Sequence, residues 1–526
     1  MQYINQRTEN SAIGRQPIPA KPIVPDQWDK EADVVIIGYG ATGAVAAITV
    51  AELGGKVIII EKAPSEGGNS STSTGAMRYV DDASRGAQYL KNLGLGSINE
   101  DIARSFAETW TEIKSWFEKH GIKLINKVTV NTHSKSSTLN NFDILFIEGR
   151  GGYDLGCGRD LFSSLNNIVK ALDVEVMLRT PAIKLVQNPF TKEILGIFAN
   201  NGGKEISIKA KKAVIMACGG FAANPEMLAT YIEEAPVKMC PTGSPYCTGD
   251  GIKMVIDVGA DLWHMNSIEW APHGFKPDSM PAAFWLQPKA HSWIHVNKGG
   301  VRFRDESRSL GHSKIRPEVF NCSSNSENGK VEWPNAKWYM IFDEKVRQAG
   351  PIILTERLRG VPPFVTYNSS RELYKWSHDN RIEIDKGWIK TANSIPELAI
   401  ESDINKVGLK TTIDKYNEYC LVAVDKEHHR KCNTLVPINV PPYYAIQCVL
   451  GIINTQGGPK RNEKCQVISA MGNPIPRLYS GGEFGSIWSF LYPGACNLSE
   501  CVISGIISGR NAIAEIPWEE TAWEKS

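Results

Sequence analysis

The sequence lacks both a long apolar run and an excess of charge of either sign. No hydrophobic stretch reaches the roughly 18 residues that a helix needs to cross a bilayer, so no membrane span is predicted. The 58 Lys and Arg residues are balanced by 57 Asp and Glu, which leaves a formal net charge of +1. A chain without a basic field has nothing to draw it to nucleic acid or to an anionic membrane surface, so a polyanion-binding function is excluded.

The cysteine pattern excludes further classes of site. The 11 cysteines form no Cys-x-x-Cys pair, and no zinc or other metal site is predicted. Their odd number argues against a disulfide framework and favours a reducing compartment, from which we expect a cytoplasmic protein. The polar segment 1–30 lacks the apolar stretch of a secretory signal and is predicted to be a surface arm.

The first strong motif is a strand, a glycine turn and a helix. The run 33–37 predicts a buried parallel strand and leads into Gly38-Tyr-Gly-Ala-Thr-Gly43, a GxGxxG pattern. A helix over 44–53 and a second strand over 57–60 follow, and Glu61 ends that strand. Such a βαβ unit binds a dinucleotide, because the glycines and the helix N-terminus hold the pyrophosphate and the acidic residue binds the ribose.

We predict an α/β protein of two or more domains from its 526 residues. Irregular sequence with Trp and Pro extends from about 265 to 435, whereas strand-like patterns with glycine turns lie on both sides of it. The predicted domains are a surface arm (1–30), a discontinuous Rossmann-like cofactor domain (31–265 and 436–526) and an inserted α+β capping domain (266–435). A final helix over 498–514 carries small residues that suit close helix packing, namely Ser504, Gly505, Ser508 and Gly509.

These motifs resemble the flavoprotein family that contains soluble fumarate reductases, the flavoprotein subunit of succinate dehydrogenase and 3-ketosteroid dehydrogenases. The resemblance runs from about 33 to 514 and includes, in family order, the segments 67–70, 217–221, 248–251, 296–303, 455–458 and 475–483. It implies FAD as the cofactor. The flavin is expected to be non-covalent, because the histidine that binds it covalently in some relatives has no counterpart within 64–79.

The resemblance also assigns residues to the cofactor. The positions expected to contact or shape the FAD site are Gly38, Gly40, Ala41, Thr42, Gly43, Glu61, Lys62, Gly68, Asn69, Ser70, Thr74, Gly75, Ala182, Cys218, Gly219, Asp250, Gly482, Glu483, Asn497 and Leu498. No second strand, GxGxxG and helix unit is present for a nicotinamide. We therefore expect an external electron acceptor or donor.

The two arginines that clamp a dicarboxylate in fumarate reductases have no clear counterpart here. The first follows a run that resembles 302–306, and its position falls near Leu310, with Arg308 close enough to replace it. The second belongs to a turn before the last helix, where the run 491–497 contains no arginine. Buried carboxylates without charged partners cost ~3–5 kcal/mol, so succinate and fumarate are disfavoured as substrates.

That turn resembles the Tyr-Pro-Gly-Ala-Gly-like segment of 3-ketosteroid dehydrogenases. The resemblance implies that the Tyr492 hydroxyl and the backbone N–H of Cys496 hold a ketone oxygen. A second tyrosine would exchange the α-proton. Tyr443 and Tyr444, in a Pro-Tyr-Tyr-Ala run, are the first candidates, with Tyr246 and Tyr79 behind them.

Three functions remain open on the sequence. The first is a FAD oxidoreductase that forms or reduces a C=C bond beside the ketone of a steroid, a bile acid or a smaller cyclic ketone. The second is the same reaction on a small carboxylate such as fumarate or urocanate, with Arg308 as the acid. The third is a flavin electron-transfer or sensor subunit without a substrate pocket.

Overall fold

A computed structural model of the protein describes residues 24–127, 142–149, 154–232, 238–307, 323–325, 330–354, 374–488, 492 and 494–520. The helices are α1 (Ala41–Glu52), α2 (Gly68–Thr72), α3 (Ala83–Gly94), α4 (Glu100–Lys119), α5 (Gly158–Ala171), α6 (Pro225–Tyr231), α7 (Asp250–Asp257), α8 (Glu344–Gln348), α9 (Arg381–Asp385), α10 (Ile395–Glu401), α11 (Lys406–Val422) and α12 (Cys496–Ala514).

The strands fall into two large sheets and three small ones. They are β1 (Lys30–Ile37), β2 (Val57–Ile60), β3 (Met77–Arg78), β4 (Leu124–Lys127), β5 (Ile144–Ile147), β6 (Glu175–Met177), β7 (Ala182–Gln187), β8 (Ile194–Asn201), β9 (Lys204–Met216), β10 (Met239–Pro241), β11 (Leu262–Trp263), β12 (Ile268–Phe275), β13 (Phe284–Trp285), β14 (Trp293–Asn297), β15 (Ser323–Asn325), β16 (Lys330–Glu332), β17 (Trp338–Asp343), β18 (Lys390–Ala392), β19 (Tyr443–Thr455), β20 (Gly458–Pro459), β21 (Gln466–Ile468) and β22 (Pro474–Ser480).

The predicted βαβ unit forms the centre of the first sheet, and the α/β fold is confirmed. β1 and β2 pair in parallel, with Val34 opposite Val57, and α1 connects them. The path through this sheet is β21-β22-β9-β1-β2-β6. β9 is parallel to β1, and β22 is parallel to β9. The carboxyl ends of β1, β2, β9 and β22 therefore lie at one edge of the sheet, which is where open α/β sheets bind their ligands.

The second sheet is organised by β19. Its path is β13-β12-β19-β17-β14. β12 pairs with the last residues of β19, whereas β17 pairs with the first ones, from Tyr443 to Cys448. The central strand of this sheet thus comes from a segment that the sequence assigned to the cofactor domain, outside the predicted cap boundaries of 266 and 435.

Helix α12 packs directly on α1 through small residues. A Cβ added at Gly505 would lie 2.9 Å from Val45 Cβ, and one added at Gly509 would lie 2.8 Å from Thr49 Cβ. Both contacts are shorter than side chains tolerate, so glycine at these positions permits the approach. The helix begins at Cys496, two residues before its predicted start. None of the described helices combines the length and hydrophobicity that crossing a bilayer requires.

We expect Gly509→Ala to destabilise the protein. The new methyl group must push Thr49 or the two helices apart, and overpacking of this kind costs roughly 1–3 kcal/mol, partly offset by the higher helix propensity of alanine, about 1 kcal/mol. Chemical denaturation measures the difference. Arg510→Ala is the matched control: Arg510 is exposed and its ion pair with Glu112 is solvated, so a change below about 0.5 kcal/mol is expected. Equal stability of the two variants would contradict the close contact.

Candidate cofactor cleft and substrate site

A cleft opens at the edge where the four parallel strands end. It encloses about 860 Å³, including space open to solvent. The loops after β1, β2, β9 and β22 all contribute to its wall. The predicted cofactor residues that line it are Gly38, Gly40, Ala41, Thr42, Glu61, Lys62, Gly68, Asn69, Ser70, Ala182, Cys218, Gly219, Asp250 and Glu483.

The glycines of the turn have separate roles. Gly38 has φ +104°, and a Cβ there would lie 2.3 Å from the carbonyl oxygen of Ala217. A Cβ at Gly43 would lie 2.1 Å from the carbonyl oxygen of Gly38, so Gly43 packs α1 on the turn and does not line the cleft. A Cβ at Gly40 would meet only Ser70 Oγ, at 3.5 Å, and Gly67 O, at 3.9 Å. Gly40 therefore keeps the cleft open at the N-terminus of α1, where Ser70 Oγ accepts a hydrogen bond from the N–H of Ala41, at 3.0 Å, and where a phosphate can be received.

Glu61 and Lys62 stand at the end of β2. The carboxylate of Glu61 accepts hydrogen bonds from the N–H groups of Tyr39, at 2.9 Å, and Ala63, at 2.7 Å, which fix it at the cleft wall. Lys62 Nζ lies 2.6 Å from Asp250 Oδ2 and also contacts Thr248. Burial acts to raise the pKa of Asp250, but the hydrogen bonds from Lys62 and Thr248 outweigh it and lower that pKa. The pair joins two sides of the cleft.

Glu483 is a half-buried carboxyl group in the cleft wall. It accepts a hydrogen bond from Asn69 Nδ2, at 2.9 Å, and one from the N–H of Thr455, at 3.2 Å. Burial is the largest influence and raises its pKa from the ordinary value of 4.5 to about 7. Near neutral pH this side chain can therefore accept or donate a hydrogen bond.

The remaining predicted cofactor residues lie outside the cleft lining. Gly75 fits tightly against Gly156 and Cys157, where a Cβ would lie 2.7 Å from backbone atoms. Thr74 precedes it in the loop after α2. Asn497 and Leu498 are in the first turn of α12. Gly482, at φ +65°, packs against Thr42.

The predicted ketone-binding pair makes a different contact. The sequence predicts that the Tyr492 hydroxyl and the Cys496 N–H converge on a ligand oxygen. In the structure the Cys496 N–H donates to the Tyr492 oxygen, at 3.1 Å, and the Asn497 N–H donates to the same oxygen, at 3.2 Å. The main-chain donors at the start of α12 are thus bonded to the phenol itself. The Cys496 side chain is fully buried, and burial raises the pKa of its thiol.

Arg78 supports this turn and was missed in the sequence, where nothing distinguishes it. Its Nε donates to the carbonyl of Gly494, at 2.9 Å, and its backbone N–H donates to that of Ala495, at 2.8 Å. Gly494 and Ala495 have φ of +74° and +59°, and the left-handed region is costly for alanine. Arg78 therefore holds the strained backbone that aims the first N–H groups of α12 at Tyr492.

The structure places Tyr443 and Tyr444 outside the cleft lining. They begin β19, whereas Thr455, which contacts Glu483, ends it. Eleven residues of extended strand separate Tyr444 from Thr455 by roughly 35 Å. The Tyr444 hydroxyl instead donates to Glu344, at 2.6 Å, and neither tyrosine lines the cleft.

The other residues predicted to exchange a proton or bind the substrate are found in different parts of the chain. Tyr246 does line the cleft. Tyr79 is half-buried beside the core around α1 and α12, and burial raises its pKa. Arg308 and Leu310, named as possible positions of a substrate-binding arginine, lie outside the described residues.

Comparison with known proteins agrees with this geometry. A family model described as FAD binding domain matches residues 33–498. The chain is 26% identical, over 93% of its length, to the NADH:fumarate oxidoreductase of Klebsiella pneumoniae, but spans only 48% of that protein, about half of it. It is 26% identical to the urocanate reductase of Eggerthella lenta, over 94% of this chain and 77% of that protein.

A solved structure matches the fold over almost the whole chain. It is the 3-ketosteroid delta1-dehydrogenase from Sterolibacterium denitrificans in complex with 1,4-androstadiene-3,17-dione, with a TM-score of 0.70 and 20% sequence identity. The match covers 92% of this chain and 100% of that one. At this identity the likeness establishes the architecture.

We expect Gly40→Ala to fold but to lose its dinucleotide. The methyl group makes only ordinary contacts with the protein and enters the space at the N-terminus of α1. At least a tenfold loss of affinity is expected, about 1.4 kcal/mol or more. Circular dichroism tests the fold, and the flavin absorbance of the purified protein tests retention. Gly43→Ala serves as the contrast and should destabilise the fold itself. Full flavin retention in Gly40→Ala would place the phosphates elsewhere.

Glu483 should make stability depend on pH. Its pKa in the folded protein, about 7, exceeds 4.5, so the folded state binds its proton more tightly than the unfolded state does. The stability from protonated Glu483 is fully present below about pH 4.5 and is lost as pH rises through about 7, by roughly 3 kcal/mol in total. Denaturation of flavin-free protein across this range measures the loss. Glu483→Gln should show a smaller loss, and identical pH profiles for the two proteins would contradict the assignment.

Proposed function

The chain belongs to the FAD-binding domain family, and from that membership and the site we propose that it forms or reduces a carbon–carbon double bond beside a ketone. FAD is its cofactor, and the protein is an oxidoreductase that acts on CH–CH groups. The proposed substrate is a ketone or enone of a steroid, a bile acid or a smaller cyclic compound. The proposed redox partner is an external electron acceptor or donor.

The cleft residues fit FAD. The space beside Gly40 that a Cβ would enter suits the pyrophosphate, Glu61 suits the ribose, and Glu483 can bond to the polyol of the cofactor. When bound, FAD supplies at N5 the acceptor or the donor of a hydride. The protein then has to bind the substrate carbonyl, exclude water and move one proton.

The observation that carries the substrate proposal is that the hydrogen-bond donors that meet at Tyr492, in the turn before α12, are uncharged. Its donors are a phenol and two main-chain N–H groups that meet within 3.2 Å. The run 491–497 has no arginine, and the Nε of Arg78, which contacts the turn, is bonded to Gly494 O. Donors of this kind suit a neutral carbonyl better than a carboxylate, which needs charged bidentate partners in a dry site.

The same donors explain how the site would activate a ketone. A carbonyl oxygen bound at the turn accepts the hydrogen bonds that the N–H groups of Cys496 and Asn497 otherwise donate to Tyr492. It also accepts a hydrogen bond from the Tyr492 hydroxyl. These donors stabilise the negative charge that develops on the oxygen when the α-proton leaves, and a donor in such a position is worth ~3–4 kcal/mol. Since Tyr443 and Tyr444 are remote, Tyr246 and Tyr79 remain the candidates for proton exchange.

A second candidate is the reduction of a small unsaturated carboxylate. Several relatives carry names of this kind, among them a fumarate oxidoreductase and a urocanate reductase that are each 26% identical to the chain. In this case Arg308 would be the acid. The uncharged turn makes this the weaker candidate.

Anaerobic assays of the flavoprotein test the proposal. We expect 3-ketosteroids or cyclohexenone to bleach or reoxidise the flavin. Tyr492→Phe removes one donor and should lower kcat by about 10²–10³-fold. Tyr443→Phe is the matched control, because this tyrosine lies at the far end of β19, and it should retain the wild-type rate.

Fumarate and urocanate are assayed in parallel. Turnover of these acids alone, together with loss of activity in Arg308→Ala, would overturn the ketone proposal in favour of the second candidate. Full activity of Tyr492→Phe on a ketone would also contradict it.

A further inference from the structure

An ion pair joins two walls of the cofactor cleft. Lys62 lies in the loop after β2, and Asp250 is the first residue of α7. Both residues line the cleft, and Lys62 Nζ lies 2.6 Å from Asp250 Oδ2. Because 188 positions separate the two residues in the chain, their contact connects segments that no local turn holds together.

The order of the strands shows which part of the cleft the ion pair spans. β1 lies between β2 and β9 in the sheet. Lys62 follows β2, whereas α7 packs on the segment after β9, where a Cβ added at Gly251 would lie 2.8 Å from Cys218 Cβ. Strands one removed from each other are roughly 10 Å apart. The ion pair therefore reaches across the carboxyl end of β1, where Gly38 begins the glycine turn.

A hydroxyl group adds to the contact from the side of Asp250. The Thr248 hydroxyl donates to Asp250 Oδ2, at 3.0 Å, and its oxygen accepts a hydrogen bond from Lys62 Nζ. The side chains of Lys62 and Asp250 are 25% and 50% exposed, so the group lies where the cleft meets solvent. An ion pair that water can reach contributes little to stability, and it can open without disturbing the core.

We propose that Lys62, Thr248 and Asp250 form a clasp that controls how fast FAD enters and leaves the cleft. The pyrophosphate site beside Gly40 and the ribose site at Glu61 belong to the same cleft as the ion pair. A dinucleotide bound at these two sites passes the carboxyl end of β1, which the clasp spans. The clasp has to open for FAD to pass and closes again afterwards. The inference depends on the family cofactor and is independent of the ketone substrate.

A clasp and a direct cofactor contact differ in their kinetics. The clasp is closed both with and without FAD and is broken only while FAD passes, so its removal lowers the barrier equally in both directions. Association and release then become faster by the same factor, and the Kd stays unchanged. A side chain that binds FAD directly makes its contact only in the complex, so its removal accelerates release and weakens the Kd.

Variants of both charges test the clasp. Stopped-flow mixing of flavin-free protein with FAD measures association, and flavin fluorescence after dilution of the holoenzyme measures release. We expect Lys62→Met and Asp250→Asn each to raise both rates about fivefold, as the loss of a solvated ion pair allows, with an unchanged Kd. The exchanged pair, Lys62→Asp with Asp250→Lys, restores opposite charges and should return both rates towards those of the wild type.

Lys30→Met is the matched control. Lys30 forms an ion pair of the same length, 2.6 Å, with Glu175 and is similarly exposed. These residues begin β1 and β6, and the amino ends of these parallel strands lie at the edge of the sheet opposite the cleft. Both rates should match those of the wild type.

Two results would overturn the proposal. Faster release and a weaker Kd in Lys62→Met, without any change in Asp250→Asn, would make Lys62 a direct contact of the cofactor. Unchanged rates in both variants would leave the ion pair without a role in FAD exchange. Neither result bears on whether Tyr492 binds a ketone, which the assays of Tyr492→Phe decide separately.

Discussion

The cofactor cleft depends on backbone segments that come closer together than side chains allow. The loop after β1 approaches the loop after β9 so closely that a Cβ on Gly38 would lie 2.3 Å from Ala217 O, and α1 packs on the same turn through Gly43. These contacts bring together the carboxyl ends of parallel strands, and with them the glycine turn, Glu61 and Glu483. The cleft therefore depends on glycine at the points where the loop after β1 contacts the loop after β9 and where α1 packs on the turn.

A single strand connects this cleft to the second sheet. β19 is the central strand of the second sheet, and its last residue, Thr455, donates its N–H to Glu483 and accepts from the N–H of Phe221. Asn454, one residue earlier, is bonded to Asn497 at the start of α12. The carboxyl group of the cleft and the start of α12 are thus both bonded to the end of β19.

Sequence-based prediction succeeded for contacts between residues that are close in the chain and not for contacts between distant segments. The βαβ unit was predictable because its strands, turn and helix are neighbours in the chain and show themselves in local hydrophobic pattern and glycine spacing. The contact of Tyr444 with Glu344 could not be predicted, because a Pro-Tyr-Tyr-Ala run gives a position in family order but not the partners along a strand of 13 residues. Arg78 has no local signature, since the groups that it holds are more than 400 residues away in the chain.

By itself the sequence determined the dinucleotide fold, the glycines that it requires and the absence of arginine from the turn before α12, because composition and short spacing express these properties directly. Only the tertiary structure decided that the N–H groups of Cys496 and Asn497 donate to the Tyr492 oxygen and that burial raises the pKa of Glu483 to about 7. The physical reason is that hydrogen-bond direction and desolvation depend on groups brought together from distant parts of the chain.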